Sequence, residues 1–224
     1  MKSWHQMTWQ EIGDLPESGM NAVMLPIGAT EQHGPHMGCG MDAEIAFQLC
    51  RAVANETKIA MLPTLPYGCS LGHSKRWPGT LAIQPKTLID VVKQIGDWVY
   101  ASGFKRLFII NAHVTNQAPL RCALEMLRAE YDDIMVALIN SPDVSDRVRQ
   151  HHYHDTEDCV FAHPVNRTST NGVTGKPSLA SKEKGQQLFS WMVEDLSDLV
   201  RKGLKETPPL PHSYFKKVNQ GDTL

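Results

Sequence analysis

Short, wholly apolar runs alternate along this chain with longer stretches in which apolar residues recur every three or four positions. The runs at 22–27, 59–65, 107–110 and 134–139 are apolar on both faces and partly β-branched. They predict buried strands rather than half-exposed ones, which would alternate. Between them lie helical stripes. Ile45, Leu49 and Val53 step by four after Asp42, and Leu88, Val91, Val92, Ile95, Trp98 and Val99 follow at 3.6-residue spacing. Leu120, Leu124 and Leu127 form a third stripe, and Leu188, Trp191, Met192, Leu196, Leu199 and Val200 a fourth. Strands alternating with helices predict a mostly parallel sheet with right-handed crossovers and helices on both faces, a three-layer α/β/α fold. Residues 143–180 have little periodicity and read as a long functional excursion. The prolines after Lys205 predict an extended tail.

With 224 residues, 42% hydrophobic and 21% charged, the chain has the composition of one globular domain spanning 1–224. The formal net charge is −2 and no basic stripe appears, which argues against a nucleic-acid partner. No apolar run approaches the ~20 residues of a membrane span, so no membrane partner is expected. The N-terminus has no apolar signal region, and five scattered cysteines form no Cys-x-x-Cys pair. A cytoplasmic protein with reduced thiols is expected.

Histidine is the unusual feature: ten in all. In a parallel sheet the ligand site lies beyond the carboxyl ends of the strands, and the candidate groups follow such ends. Glu31 and His33 come just after the first strand and, two apart, point the same way in extended backbone. Gly34, Gly38 and Gly40 would let the loop fold back and carry Asp42 to them. Carboxylate, imidazole and carboxylate suit Zn²⁺, Mn²⁺ or Fe²⁺. The plain alternative is a solvated loop with Asp42 as a helix N-cap. His113, directly after the third strand, is either a ligand or a histidine bonded to a neighbouring loop; Asn116 is expected to cap the helix that follows. The 151–158 stretch, with His151, His152, His154, Asp155, Glu157 and Asp158, offers a further ligand or a general base, or is simply exposed.

These residues resemble the creatininase (creatinine amidohydrolase) family of metal-dependent amidohydrolases. The likeness rests on Leu25-Pro-Ile-Gly-Ala-Thr-Glu31-Gln-His33-Gly-Pro-His36, then Asp42, Gly68-x-Ser70-x-x-His73 and Pro78-Gly-Thr80. Asn111-x-His113-x-x-Asn116, Gly172-Val-x-Gly175-x-Pro177-x-Leu-Ala180 and Glu183-x-Gly185 continue it. The resemblance implies the three-layer fold, a two-metal centre and a homohexameric ring. By position it implies Glu31 and His113 on one metal, His33 on the other and Asp42 bridging. Asp155 stands where the family has a glutamate, and Thr115 where creatininase itself has a glutamate ligand.

The expected function is therefore hydrolysis of a C–N bond in a small amide, cyclic amide or formamide by a metal-activated water. One or two divalent ions per subunit are expected, Zn²⁺ first and Mn²⁺ or Fe²⁺ next. His152 or Asp155 would move the proton. The rival reading is a non-catalytic relative with a degenerate metal site. A thiol enzyme using Cys39 or Cys159 lacks an oriented base.

Overall fold

A computed structural model describes residues 3–151 and 163–208. Four strands, β1 (Ala22–Ile27), β2 (Ala60–Met61), β3 (Arg106–Asn111) and β4 (Met135–Asn140), form one all-parallel sheet in the order β2-β1-β3-β4. The helices are α1 (Trp9–Glu17), α2 (Met41–Thr57), α3 (Pro85–Ala101), α4 (Gln117–Glu130), α5 (Asp146–Arg149), α6 (Val165–Thr168) and α7 (Lys182–Lys205).

The apolar-on-both-faces pattern of the strands is explained by two cores. On one face Ala22, Met24, Phe108 and Ile110 pack with Leu49 and Val53 of α2 and Met192, Leu196 and Val200 of α7. On the other, Val23, Leu25, Leu107 and Ile109 meet Leu88, Val92 and Val99 of α3 and Leu120, Ala123 and Leu127 of α4. Each strand is thus covered on both sides, giving the expected three layers.

Local signals set the helix ends. Thr8 and Glu11 make a reciprocal capping box at the start of α1, Pro85 opens α3, and Ser181 accepts from the Lys184 N–H at the start of α7. Two expectations need correction. The run 59–65 contributes only Ala60–Met61 to the sheet, with a single further bridge from Leu65 to Ile27; Pro63 and Pro66 have no N–H to give to a ladder. Trp98, placed in the buried stripe of α3, is 75% exposed, because the core-facing positions around it are taken by Gly96 and Val99.

Gly28 decides how closely β1 and α2 approach. A Cβ there would collide with the backbone of Asp42 and Ala43. Only a glycine lets the first turn of α2 sit directly on the end of β1. Gly28→Ala is therefore expected to cost about 2–3 kcal/mol, read as a lowered midpoint in urea or thermal unfolding; an unchanged midpoint would mean the two segments separate easily.

Candidate metal centre

At the carboxyl edge of the sheet, β1 and β3 are paired in register as far as Ile27 and Asn111. The chains leaving them bring Glu31 and His113 together, and α2 lowers Asp42 between them. One ligand atom from each of these three buried residues lies within 4.8 Å of the others. His33 joins from the rim: its Nε2 is 3.5 Å from Glu31 Oε1 and 3.4 Å from Asp42 Oδ1. The loop folds back as expected, closed by the Glu31 N–H donating to the Cys39 carbonyl at 2.8 Å. Of its three glycines only Gly34 uses left-handed backbone, at φ +82°.

Asp42 is not the helix cap. Gly40 occupies that position, and the Asp42 carboxylate reaches across to both histidines, with Oδ2 3.0 Å from His113 Nδ1. That contact is close without being aligned as a hydrogen bond, so Asp42 Oδ2 and Glu31 Oε2 are buried acceptors with no hydrogen-bond donor. A fold seldom buries two such oxygens side by side, since each costs free energy unless compensated.

The histidines are held by their far nitrogens. His33 Nδ1 lies 3.1 Å from the Glu31 carbonyl, and His113 Nε2 lies 3.2 Å from the Cys69 carbonyl. A carbonyl only accepts, so each of those nitrogens carries the hydrogen. In the neutral imidazoles His33 Nε2 and His113 Nδ1 then turn lone pairs toward Asp42, the tautomers that a cation requires; in the metal-free, protonated rings the same two atoms carry hydrogens. Ser70 Oγ, at 3.2 Å, and Thr115 Oγ1, at 2.5 Å, crowd the same Nε2 of His113; Thr115 also donates to the Cys69 carbonyl.

Electrostatics agree with the geometry. The Asp42 carboxylate, which the protonated ring can hydrogen-bond, holds His33 above its ordinary 6.5, against the opposing effect of burial. Burial pushes His113 down, but Asp42 and Glu31 outweigh it and leave its pKa raised. Burial pushes Asp42 up, yet the two histidines bring it below 3.8.

The supporting residues were the ones sequence reasoning missed. Asn116 sits at the N-cap position of α4 as expected, but its side chain does not cap. Oδ1 accepts from the Cys69 N–H at 2.8 Å, and Nδ2 donates to the Gly28 carbonyl at 2.9 Å, stitching the ends of β1 and β3 to the loop after β2. His73 brings Nδ1 to 3.6 Å from Glu31 Oε1. Only the Gly-x-Ser-x-x-His spacing hinted at Ser70 and His73; nothing flagged Gln32. The candidates His152 and Asp155, together with Cys159, lie outside the described residues.

A family model described as creatininase, creatinine amidohydrolase, matches residues 5–158 and 138–200. The chain belongs to the creatininase family. Among its relatives is a creatinine amidohydrolase from Pseudomonas putida, 32% identical over 50% of this chain and 44% of that protein. A mycofactocin precursor peptide peptidase from Mycobacterium tuberculosis is 28% identical over 83% of this chain and 88% of its own. A solved creatinine amidohydrolase superposes with a TM-score of 0.79 at 23% identity, covering 92% of this chain and 100% of its own. A manganese form and a zinc–zinc mutant form of creatininase superpose equally well. At that identity the superpositions establish the shared creatininase fold. These relatives are hydrolases by name.

Two outcomes are expected of this creatininase-family cluster. Asp42→Asn should lower bound Zn²⁺ or Mn²⁺ at least about tenfold by elemental analysis, with an unchanged circular dichroism spectrum; full metal content would remove Asp42 from the site. In chelator-treated protein, raised histidine pKa values stabilise the fold fully below pH 6.5 and cease to do so as pH climbs through the raised values. The lowered Asp42 value stabilises above 3.8 and fails as pH falls below it. The cluster's contribution to Tm in the metal-free chain should therefore be largest in mildly acidic buffer, declining toward neutrality, and Zn²⁺ should erase that decline. A metal-free Tm contribution that rises from pH 6 to 8 would contradict it.

Proposed function

We propose that this protein is a metal-dependent amidohydrolase that cleaves a C–N bond of a small amide, cyclic amide or formamide. The observation carrying this reading is the convergence of two buried carboxylates, each with an oxygen lacking a hydrogen-bond partner, on two histidines that each place one ring nitrogen against an oxygen of Asp42. Two carboxylates and two imidazoles are the donor set of a Zn²⁺ or Mn²⁺ site. Asp42, with one oxygen toward each histidine, suits a bridging role between a His113 position and a His33 position. A bound divalent cation would supply water activation near neutral pH and polarisation of a carbonyl.

The chain's own residues do the rest. Glu31, Asp42, His33 and His113 hold the donor set, and the Cys69 and Glu31 carbonyls keep both imidazoles in the binding tautomer. Thr115 and Ser70 fix the His113 ring from behind. His152, or Asp155 near it in sequence, is proposed to carry the proton from the attacking water to the leaving nitrogen. Chain length and composition support a single domain, the scattered cysteines a cytoplasmic subunit, and the family resemblance a homohexamer.

A second reading, cleavage of a peptide amide, is favoured by one finding: by sequence, a peptide peptidase aligns over most of both chains, whereas the Pseudomonas putida creatinine amidohydrolase aligns over half of this one. Both readings share the metal chemistry and differ in the substrate offered.

The test is a screen of small amides, cyclic amides, formamides and short peptides with metal-loaded protein. Activity should vanish on chelation and return with Zn²⁺ or Mn²⁺, and His152→Ala and Asp155→Ala should each lower it at least about tenfold, the scale typical of a lost proton-transfer group. Stoichiometric metal with no turnover on any amide would leave a non-catalytic family member.

A further inference from the structure

Gln32 stands in sequence between two of the proposed ligands, yet its buried side chain serves other partners. Its Oε1 accepts from the Gly34 N–H at 3.0 Å, and its Nε2 donates to the Gly172 carbonyl at 3.3 Å. Only one orientation of the amide fits an N–H on one side and a carbonyl on the other. The same Nε2 lies 3.4 Å from His73 Nδ1. The Gln32 backbone N–H donates to Thr80 Oγ1, whose hydroxyl donates to the His73 carbonyl. One side chain thus ties the Glu31–His33 turn, the loop carrying His73, and a segment 140 residues away.

That segment, 163–173, is docked by its other contacts too. Asn166 Nδ2 donates to the Ser74 carbonyl at 2.8 Å, and Arg76 donates to the Asn166 carbonyl at 3.0 Å. Pro164 lies against Gly72, and Val173 against Gly34. Gly172 itself has φ +82°, and a Cβ on it would overlap the Gln32 amide. The approach of the segment to the metal-side turn therefore depends on a missing side chain at 172 and an amide at 32.

We propose that Gln32 is a positioning residue that couples docking of the 163–173 segment to cation binding by Glu31, His33, Asp42 and His113. The inference rests on the proposed metal site and adds to it a route by which a distant segment controls that site. Gln32 fixes the backbone between two ligands, so shifting its amide moves Glu31 and His33 together. Linkage makes the effect mutual: a cation that orders the turn also favours the docked segment. A glutamine that merely fills a gap between loops would affect stability without changing metal affinity.

The experiment titrates chelator-stripped protein with Zn²⁺ in competition with a chromophoric chelator. Gly172→Ala should weaken Zn²⁺ binding about tenfold or more, the usual scale for a residue supporting metal ligands. Gln32→Ala should weaken it similarly, and the double variant should bind clearly better than the product of the two losses, because the added methyl then has no amide to displace and only the backbone strain at Gly172 is left. Independent, multiplying effects, or Gly172→Ala binding at wild-type affinity, would overturn the coupling. Hydrogen exchange keeps the proposal testable if Gly172→Ala fails to fold. Amides of 169–173 should slow on Zn²⁺ binding in the wild-type chain and not in Gln32→Ala, and equal slowing in both would overturn it. A wild-type chain that takes up no Zn²⁺ defeats the metal reading itself, an outcome distinct from uptake without coupling.

Discussion

Two carboxylates, Glu31 and Asp42, are buried side by side at the carboxyl edge of the sheet, each with an oxygen that no donor reaches. Like charges at such separation, away from water, repel strongly unless protonated or matched by positive charge. The surrounding structure resists the easy relief of moving apart. Gly28 brings α2 onto the end of β1, so Asp42 is fixed by a helix. Glu31 is fixed by its N–H bond to Cys39, and His113 by the end of β3. The histidines supply part of the missing positive charge in the metal-free chain, which is why their pKa values rise and that of Asp42 falls. A divalent cation would supply it more fully.

The frame that enforces this closeness is built from residues with no reactive chemistry. Asn116 gives its side chain to the Gly28 carbonyl, the Cys69 N–H and the Asn111 side chain. Gly68 leaves room for that amide, since a Cβ there would meet both Asn116 and the Gly28 carbonyl. Ends of strands in a parallel sheet expose unpaired backbone groups, and here backbone carbonyls just beyond those ends become the supports of the histidine rings. The Cys69 carbonyl holds His113, and the Glu31 carbonyl holds His33. Site and scaffold therefore share the same few atoms.

Much of this was legible in the sequence because parallel sheets impose simple rules. Strands apolar on both faces predicted two-sided cover, and β1 matches its expected limits. Looking for chemistry after strand ends singled out Glu31, His33 and His113, which the fold brings close together. The reach of Asp42 from α2 was legible only as one of two alternatives, since an acid at a helix start also reads as a cap; Gly40 taking that role decides between them. Asn116 misled for the same reason, its composition signal being that of a cap and its bonds being tertiary. Gln32 was invisible because its partners, Gly172 and His73, are remote in sequence, and periodicity carries no information at that range. Trp98 shows the converse error: spacing assigns a face, but the neighbouring small residues decide which side chain the core admits.

The two histidine sides of the cluster are unequal, and the difference bears on where chemistry would occur. His113 is 6% exposed at its side chain, enclosed by the Cys69 carbonyl, Ser70 and Thr115, whereas His33 is 21% exposed and follows Gln32 in the chain. A metal position that only holds its ion can be closed, while one that reacts must keep an open coordination site. On the proposed reading, the His113 side is the anchor and the His33 side admits substrate. Thr115 reinforces this division: it spends its hydroxyl on the Cys69 carbonyl and the His113 ring, so it stiffens the anchor and adds no carboxylate to the cluster. The open side depends instead on the turn that Gln32 holds. On the same reading, the half that would react is the half whose turn contacts the 163–173 segment through Gln32.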